Sequence, residues 1–144
     1  MPQFRRSIAN LTRNGPVLEV RIEPVLAVQE ILRANGQEVP SVSLRGLIDT
    51  GASGSLLEST VFDTLGIEPY AFVDLYTAST TAPLRRGKYR VRVVLTETIA
   101  FEVDAVSGTL TGQNIQCLIG RDILEELVFT YNGPKNQFTV TYRE

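Results

Sequence analysis

The sequence predicts an all-β domain with one to three short helices. Apolar and charged residues alternate along Val17–Glu23 and again along Ile99–Val106, as they do in strands with one buried face. Two β-rich segments flank Asn132–Asn136 near the end of the chain, and the Asn-Gly-Pro sequence between them predicts a hairpin. A chain of 144 residues is long enough for one buried core, so a single folded unit is expected.

The first part of the chain lacks a clear structural pattern. Residues 1–16 are polar and aperiodic apart from Ile8 and Leu11, and we expect them to form a loose N-terminal arm or an interface strand. The folded domain is therefore placed at residues 17–144.

Two segments favour short helices. Pro24–Asn35 suits a helix because proline fits the first turn and Gly36 fits the C-terminal cap. The alternative is a strand that continues into a hairpin turn at Asn35-Gly36. Ser59–Leu65 suits a second helix, with Ser59 as its cap and Gly66 at its end.

Charge and hydropathy exclude some classes of partner. The formal net charge of -2 and the pI near 5.3 give no general attraction to nucleic acid or to an anionic membrane. The chain contains no apolar run of membrane-spanning length. Basic residues near Met1 are not followed by an apolar stretch, so a secretory signal is not expected and a cytoplasmic protein is predicted.

Missing residue types narrow the chemistry. The chain has no histidine, which removes Ser-His and Cys-His nucleophilic mechanisms and the usual zinc ligand sets. Cys117 is the only cysteine, and alternation places it on a strand face with Ile115 and Ile119, where a buried small hydrophobe is expected. Carboxylate chemistry remains, and we expect neither a metal nor a cofactor.

Two motifs carry the functional information. In the first, apolar Leu47-Ile48 leads into Asp49-Thr50-Gly51-Ala52-Ser53, which places a carboxylate in a tight turn at the end of a buried strand. Gly51 lets its own N–H reach the carboxylate, and the small Ala52 leaves room for a substrate. The second motif, Leu118-Ile119-Gly120-Arg121-Asp122-Ile123-Leu124, follows about 70 residues later.

Together these motifs resemble those of the retroviral-type (retropepsin-like) aspartic peptidases, in their single-domain cellular or bacterial form. The resemblance covers about Ser41 to Tyr142, and it implies a closed β-barrel or sandwich with a flap hairpin. The Asp-Thr-Gly triplet occurs once, so a catalytic Asp49 would need a second copy from a symmetry-related subunit. The resemblance thus implies a homodimeric endopeptidase that acts on a peptide or protein substrate. The alternative is an inactive binding or dimerisation module with the same fold.

The resemblance also assigns supporting roles around the aspartate. Thr50 would hydrogen-bond across the two-fold axis, and Gly120 would allow a close crossing beside the Asp49 loop, followed by a helix from Arg121 to about Glu126. Retroviral enzymes pair this arginine with an aspartate where the present chain has Ser53, which leaves the partner of Arg121 open. Asp122 is interpreted as a helix-start residue favoured by the helix dipole.

A β-hairpin is expected to cover the site. Phe72–Tyr76 and Lys88–Leu95 predict two strands around a tip of small residues, and in the resembled family such a hairpin closes over the substrate. An ordinary exposed hairpin is the alternative. The flap residues would be Tyr76, Thr77, Ala78, Ser79, Thr80 and Thr81.

Two further patterns concern surfaces. The main basic cluster consists of Arg85, Arg86, Lys88, Arg90 and Arg92, and its even-numbered members share one strand face. A solvated face is favoured over a nucleic-acid or docking surface. No nucleic-acid partner is therefore expected. The last strand, Gln137–Tyr142, ends two residues before the last residue of the sequence. If its edge is exposed, pairing with a second copy would protect it, which supports a symmetric dimer.

Overall fold

The computed structural model describes residues 2–76, 82–110 and 112–142, which form ten strands and four short helices. The strands are β1 Gln3–Ser7, β2 Val17–Glu23, β3 Val42–Ile48, β4 Leu56–Glu58, β5 Ala71–Leu75, β6 Leu84–Thr96, β7 Ile99–Gly108, β8 Cys117–Ile119, β9 Leu127–Asn132 and β10 Gln137–Tyr142. The helices are α1 Leu11–Asn14, α2 Leu26–Ala34, α3 Ser59–Leu65 and α4 Arg121–Leu124. None of the helices in these residues is long and apolar enough to cross a membrane.

A closed barrel forms the centre of the fold. The larger sheet has the order β2-β3-β8-β4-β7-β6-β5, and β2 also pairs with β6, so six of its strands close on themselves. Alternating side chains from these strands fill the interior, among them Ile22, Val91, Val93 and Ile119, each at most 1% exposed. The predicted all-β closed barrel is confirmed.

Parallel pairing of β3 with β8 positions the two sequence motifs. Leu47 lies opposite Leu118 and Ile48 lies opposite Ile119. Because both strands run in the same direction, their ends meet at one edge of the barrel. The Asp49 turn, which follows β3, and Gly120, which follows β8, therefore lie side by side.

The N-terminal residues, expected as a loose arm or an interface strand, pack within the chain's own fold. β1 pairs with β10 along its full length and buries Phe4, which is 8% exposed. Helix α1 buries Leu11 completely, and the Leu11 N–H donates to Asn136 Oδ1 at 2.8 Å. Burial of these two apolar side chains explains why the segment lies against the core.

The predicted C-terminal hairpin is confirmed, but the expected exposed edge on its last strand is wrong. β10 pairs with β9 on one side and with β1 on the other, so it is the central strand of a three-stranded sheet. The outer strands of that sheet are β1 and β9. The β10 edge is therefore not available for pairing with a second copy, and in this sheet such pairing would have to involve β1 or β9.

Both expected helices are present, with two local differences. α2 is a helix rather than a hairpin, and Gly36 follows it with φ of 71°. It turns its polar side inward: Gln29 is 3% exposed and donates to the Pro24 carbonyl at 2.7 Å, while Ile31 is 61% exposed. In α3 the Ser59 hydroxyl donates to the Gly108 carbonyl at 2.9 Å instead of capping its own helix.

Candidate active site

Asp49 lies at the end of β3 in a turn held by backbone hydrogen bonds. Its N–H donates to the Ile119 carbonyl at 2.9 Å, and its carbonyl accepts from the Ala52 N–H at 3.2 Å. The Gly51 N–H donates to Asp49 Oδ1 at 2.9 Å, as the sequence predicts. The side chain is half-buried, so it is oriented by the turn and still reaches solvent.

Arg121 ties the second motif to the first through main-chain oxygens. Its Nη1 donates to the Thr50 carbonyl at 2.7 Å, and its N–H donates to the Ala52 carbonyl at 2.8 Å. These contacts answer the question that the sequence leaves open, because a backbone carbonyl takes the place of the carboxylate that retroviral enzymes use. Ser53, at that position, is exposed.

Ser55 is a buried residue of the site that sequence reasoning missed. It is 1% exposed, and its Oγ donates to Asp122 Oδ1 at 2.7 Å while accepting from the Gly120 N–H at 3.1 Å. The Ser55 N–H donates to Asp122 Oδ2 at 3.0 Å. Asp122 Oδ1 also accepts from the Ile123 N–H at 2.9 Å, so Asp122 does lie at the start of α4, but its carboxylate mainly holds the Asp49 loop.

Gly120 brings the two motifs into backbone contact. A Cβ placed on Gly120 would lie 2.5 Å from both the carbonyl carbon and the oxygen of Gly54. A Cβ cannot lie that close to a non-bonded atom, so any side chain at this position would have to displace the backbone of Gly54. The close crossing that the sequence predicts beside the Asp49 loop is therefore present.

Replacing Ser55 with alanine is expected to destabilise the protein by about 1–3 kcal/mol, because the Asp122 carboxylate and the Gly120 N–H would each lose a buried partner. Thermal or urea unfolding of Ser55→Ala measures the loss. The control is Ser53→Ala, which removes a serine hydroxyl from an exposed position in the same loop. It should change the free energy of unfolding by less than about 0.5 kcal/mol. Equal stability of the two variants would contradict the role assigned to Ser55.

A groove runs between the Asp49 loop and the β5–β6–β7 sheet. A depression of about 330 Å³ lies directly on the loop, where Leu56, Leu75 and Val106 form its apolar wall with residues 51–55. It continues into a second depression of about 500 Å³ that shares Ser53, Gly54, Leu75 and Val106. The size and position fit an extended peptide segment bound beside Asp49.

The hairpin expected over the site is formed by β5 and β6, with Leu75 opposite Leu84. Val73 and Leu75 of β5 line the groove, whereas Tyr76 is 76% exposed. The other expected flap residues, which are Thr77, Ala78, Ser79, Thr80 and Thr81, lie outside the described residues. The strands of the predicted hairpin are thus in place beside the groove.

Cys117 takes no part in the site. It is fully buried in β8, between β3 and β4, and burial raises the pKa of its thiol to about 12. A thiol with so high a pKa stays protonated and unreactive at neutral pH. The prediction of a buried small hydrophobe is confirmed.

Comparison with known proteins agrees with this geometry. A sequence profile of the aspartyl protease family matches residues 31–123, which is well over half of the chain. Comparison with curated protein sequences finds no match. Among solved structures, the fold is similar to that of a retropepsin-like aspartic protease from Rickettsia conorii, with a TM-score of 0.60 and 17% identity over 98% of this chain and 93% of that chain. The chain therefore belongs to the aspartyl protease family and has a retropepsin-like fold.

Proposed function

We propose that the protein is a homodimeric endopeptidase in which Asp49 from each of two subunits forms the catalytic pair. The observation that carries this proposal is the position of Asp49, which is half-buried in a tight turn whose next residues, from Gly51 onward, line a peptide-sized groove. The Asp-Thr-Gly triplet occurs once in the sequence. A two-carboxylate mechanism therefore requires a second copy of the chain.

The reaction follows from the pairing of two like charges. Two carboxylates about 3 Å apart repel by roughly 5 kcal/mol at an effective dielectric of 20, so the pair retains one proton. The ionised member takes a proton from a water molecule that attacks the scissile carbonyl, and the protonated member hydrogen-bonds the carbonyl oxygen. The Gly51 N–H keeps the carboxylate in position during both steps.

A cleft beside the Asp49 turn supports a specific dimer surface. The cleft has a volume of about 500 Å³ and lies on the side of the turn that carries α4 and β9. It is lined by Thr50, Arg121, Leu124, Glu125 and Phe129. Two copies that meet here would bring their Thr50 residues, and with them the Asp49 turns, toward a common axis. Arg121 and Glu125 carry opposite charges, so the surface is complementary to itself across a two-fold axis.

The edge of β9 extends this surface. Leu127–Asn132 contains no charged residue, and Val128 and Tyr131 are 43% and 47% exposed. Outer strands of stable monomers are normally guarded by charges, prolines or short length. An antiparallel strand can pair with its own copy about a two-fold axis. The two three-stranded sheets would then join edge to edge, with β10 internal to each subunit.

Single cysteines introduced at Val128, Thr130 or Tyr131 are expected to give a disulfide-linked dimer on mild oxidation, at one or more of the three positions. Directly opposed residues in antiparallel strands have Cα atoms about 4.5–5.5 Å apart, which is within disulfide range. The native Cys117 gives no background because it is buried and its pKa is about 12. Non-reducing electrophoresis detects the product.

The control is Ile31→Cys, which places an exposed thiol on α2. It should give no disulfide-linked dimer under the same oxidation. The linked β9 dimer should keep its peptidase activity at dilutions where the wild type loses activity through dissociation. If the wild type is an active dimer but none of the three cysteine variants forms a cross-link, the interface lies elsewhere. Full activity of a strict monomer would contradict the Asp49 pair.

We also propose that the β5–β6 hairpin acts as the flap. Val73 and Leu75 line one wall of the groove, and the register from Ala71–Lys88 to Leu75–Leu84 continues toward the tip. A β-ribbon in this position can exclude water and bind the main chain of an extended substrate.

Cytoplasmic location stays a prediction from the sequence.

A further inference from the structure

The basic cluster of β6 contributes to the groove. Register pairs Lys88 with Val106, and Arg90 with Asp104, on β7. Lys88, Arg90, Asp104 and Val106 all line the larger depression, opposite Ser53 and Gly54 of the active-site loop. The face that the sequence predicts to be solvated is therefore open to solvent along the wall where a peptide would bind.

Most of the charges in this groove already have partners. Arg90 Nη1 lies 3.3 Å from Asp104 Oδ1. Glu102 Oε2 accepts from the Leu26 N–H at 2.8 Å, and the Asp122 carboxylate holds Ser55. Of the six charged residues that line the groove, only Lys88 and Glu125 have no ion pair or side-chain hydrogen bond with another residue in the described part of the chain. The six are Lys88, Arg90, Glu102, Asp104, Asp122 and Glu125.

Lys88 lies next to the apolar pocket on the Asp49 loop. Its cross-strand neighbour Val106 belongs to both depressions, and so does Leu75. Side chains directly opposite one another on two strands are about 5 Å apart. A substrate side chain that fills the pocket of Leu56, Leu75 and Val106 would therefore bring the next side chain on the same face toward the Lys88 ammonium. In an extended peptide those two side chains are about 6.6 Å apart.

We propose that Lys88 selects an acidic side chain in the substrate, two positions from an apolar side chain that occupies the pocket beside Asp49. This inference rests on the proposed peptidase function and names the substrate class for the same groove. Glu125 is the less suitable determinant because it is exposed and also lines the cleft beside Thr50, where the second subunit is proposed to bind. Among the described residues that line the groove, Lys88 is therefore the positive charge left for a substrate side chain.

Matched peptides that differ only in Glu, Gln or Lys at this position test the proposal. In the wild type we expect kcat/KM for the Glu peptide to exceed that for the Lys peptide about fivefold, as a partly solvated ion pair provides. Lys88→Gln should abolish the difference, and Lys88→Glu should reverse it. Arg85→Gln is the control and should keep the preference for the Glu peptide. It removes a positive charge from the same strand but on the opposite face, where Arg85 lies over the Phe72 ring at 4.9 Å.

Binding of the same peptides to Asp49→Asn, measured by fluorescence anisotropy, separates this proposal from the proposed function. The Glu preference should appear there without hydrolysis, and it should be lost when Lys88→Gln is added. Equal binding of Glu and Lys peptides, or a preference that Lys88→Glu leaves unchanged, overturns the role of Lys88 even if the wild type is an active peptidase. A Glu preference in binding together with an inactive wild type would support Lys88 and reject the peptidase.

Discussion

Asp49→Asn is expected to lower peptide hydrolysis at least about a thousandfold while the fold stays intact. An amide can neither take a proton from water nor share one with its partner, and both halves of the pair change at once in a symmetric dimer. The asparagine Oδ1 can still accept the Gly51 N–H that now binds Asp49 Oδ1 at 2.9 Å. The turn should therefore keep its shape, and the loss should be chemical.

A mixed peptide library at several pH values measures this effect for the wild type, Asp49→Asn and Asp49→Ala. Wild-type cleavage should be greatest at acidic to mildly acidic pH and should fall as pH rises, because the pair loses its shared proton. Asp63→Asn is the matched control, since it makes the same change at an exposed position on α3. Cleavage by Asp49→Asn at the wild-type rate would refute the catalytic assignment.

Gly120→Ala is expected to destabilise the fold by about 3 kcal/mol and to reduce activity in parallel. Gly120 has φ of -89°, which alanine adopts readily, so the effect comes from space alone. The added Cβ would lie 2.5 Å from the backbone of Gly54. A backbone cannot move aside as a side-chain end can, so the β8–α4 crossing and the Asp49 loop would have to separate.

Gly54→Ala is the matched control because it lies on the other side of the same contact and a Cβ there would meet no atom within 4 Å. Chemical denaturation should show a large loss for Gly120→Ala and a change within about 0.5 kcal/mol for Gly54→Ala. Equal stability of the two variants would show that the two loops can separate without cost, and it would contradict the close packing at Gly120.

Local features of the sequence were sufficient to predict the turn that holds Asp49. Leu47 and Ile48 end a buried strand, Asp49 follows at once, and Gly51 supplies the turn, so the carboxylate and its N–H donor are only two residues apart. The hairpin after β9 and helix α2 are also predicted from local signals, because the residues that form the turn or end the helix are neighbours in the sequence. Interactions of this range depend on backbone preferences that each residue expresses by itself.

Features that depend on distant partners were not recognised. Ser55 looks like one small polar residue among several, and its contact with Asp122 spans 67 residues. α2 has an apolar side that would be expected to face the core, yet Gln29 is the residue buried, because Glu23 and the Pro24 carbonyl bind its amide. A buried polar group is acceptable only where its partners happen to be, and the sequence does not show where they are.

The sequence by itself indicated the family, most of the barrel strands and the Asp49 turn, because each depends on a short motif or on alternation along one strand. Only the tertiary structure decided which strand edge is available and what the basic residues face. β10 is enclosed because β1 folds back onto it, and Lys88 borders the groove because β6 lies between β5 and β7. Strand order is set by which apolar faces pack together across the whole chain, and no single segment carries that information.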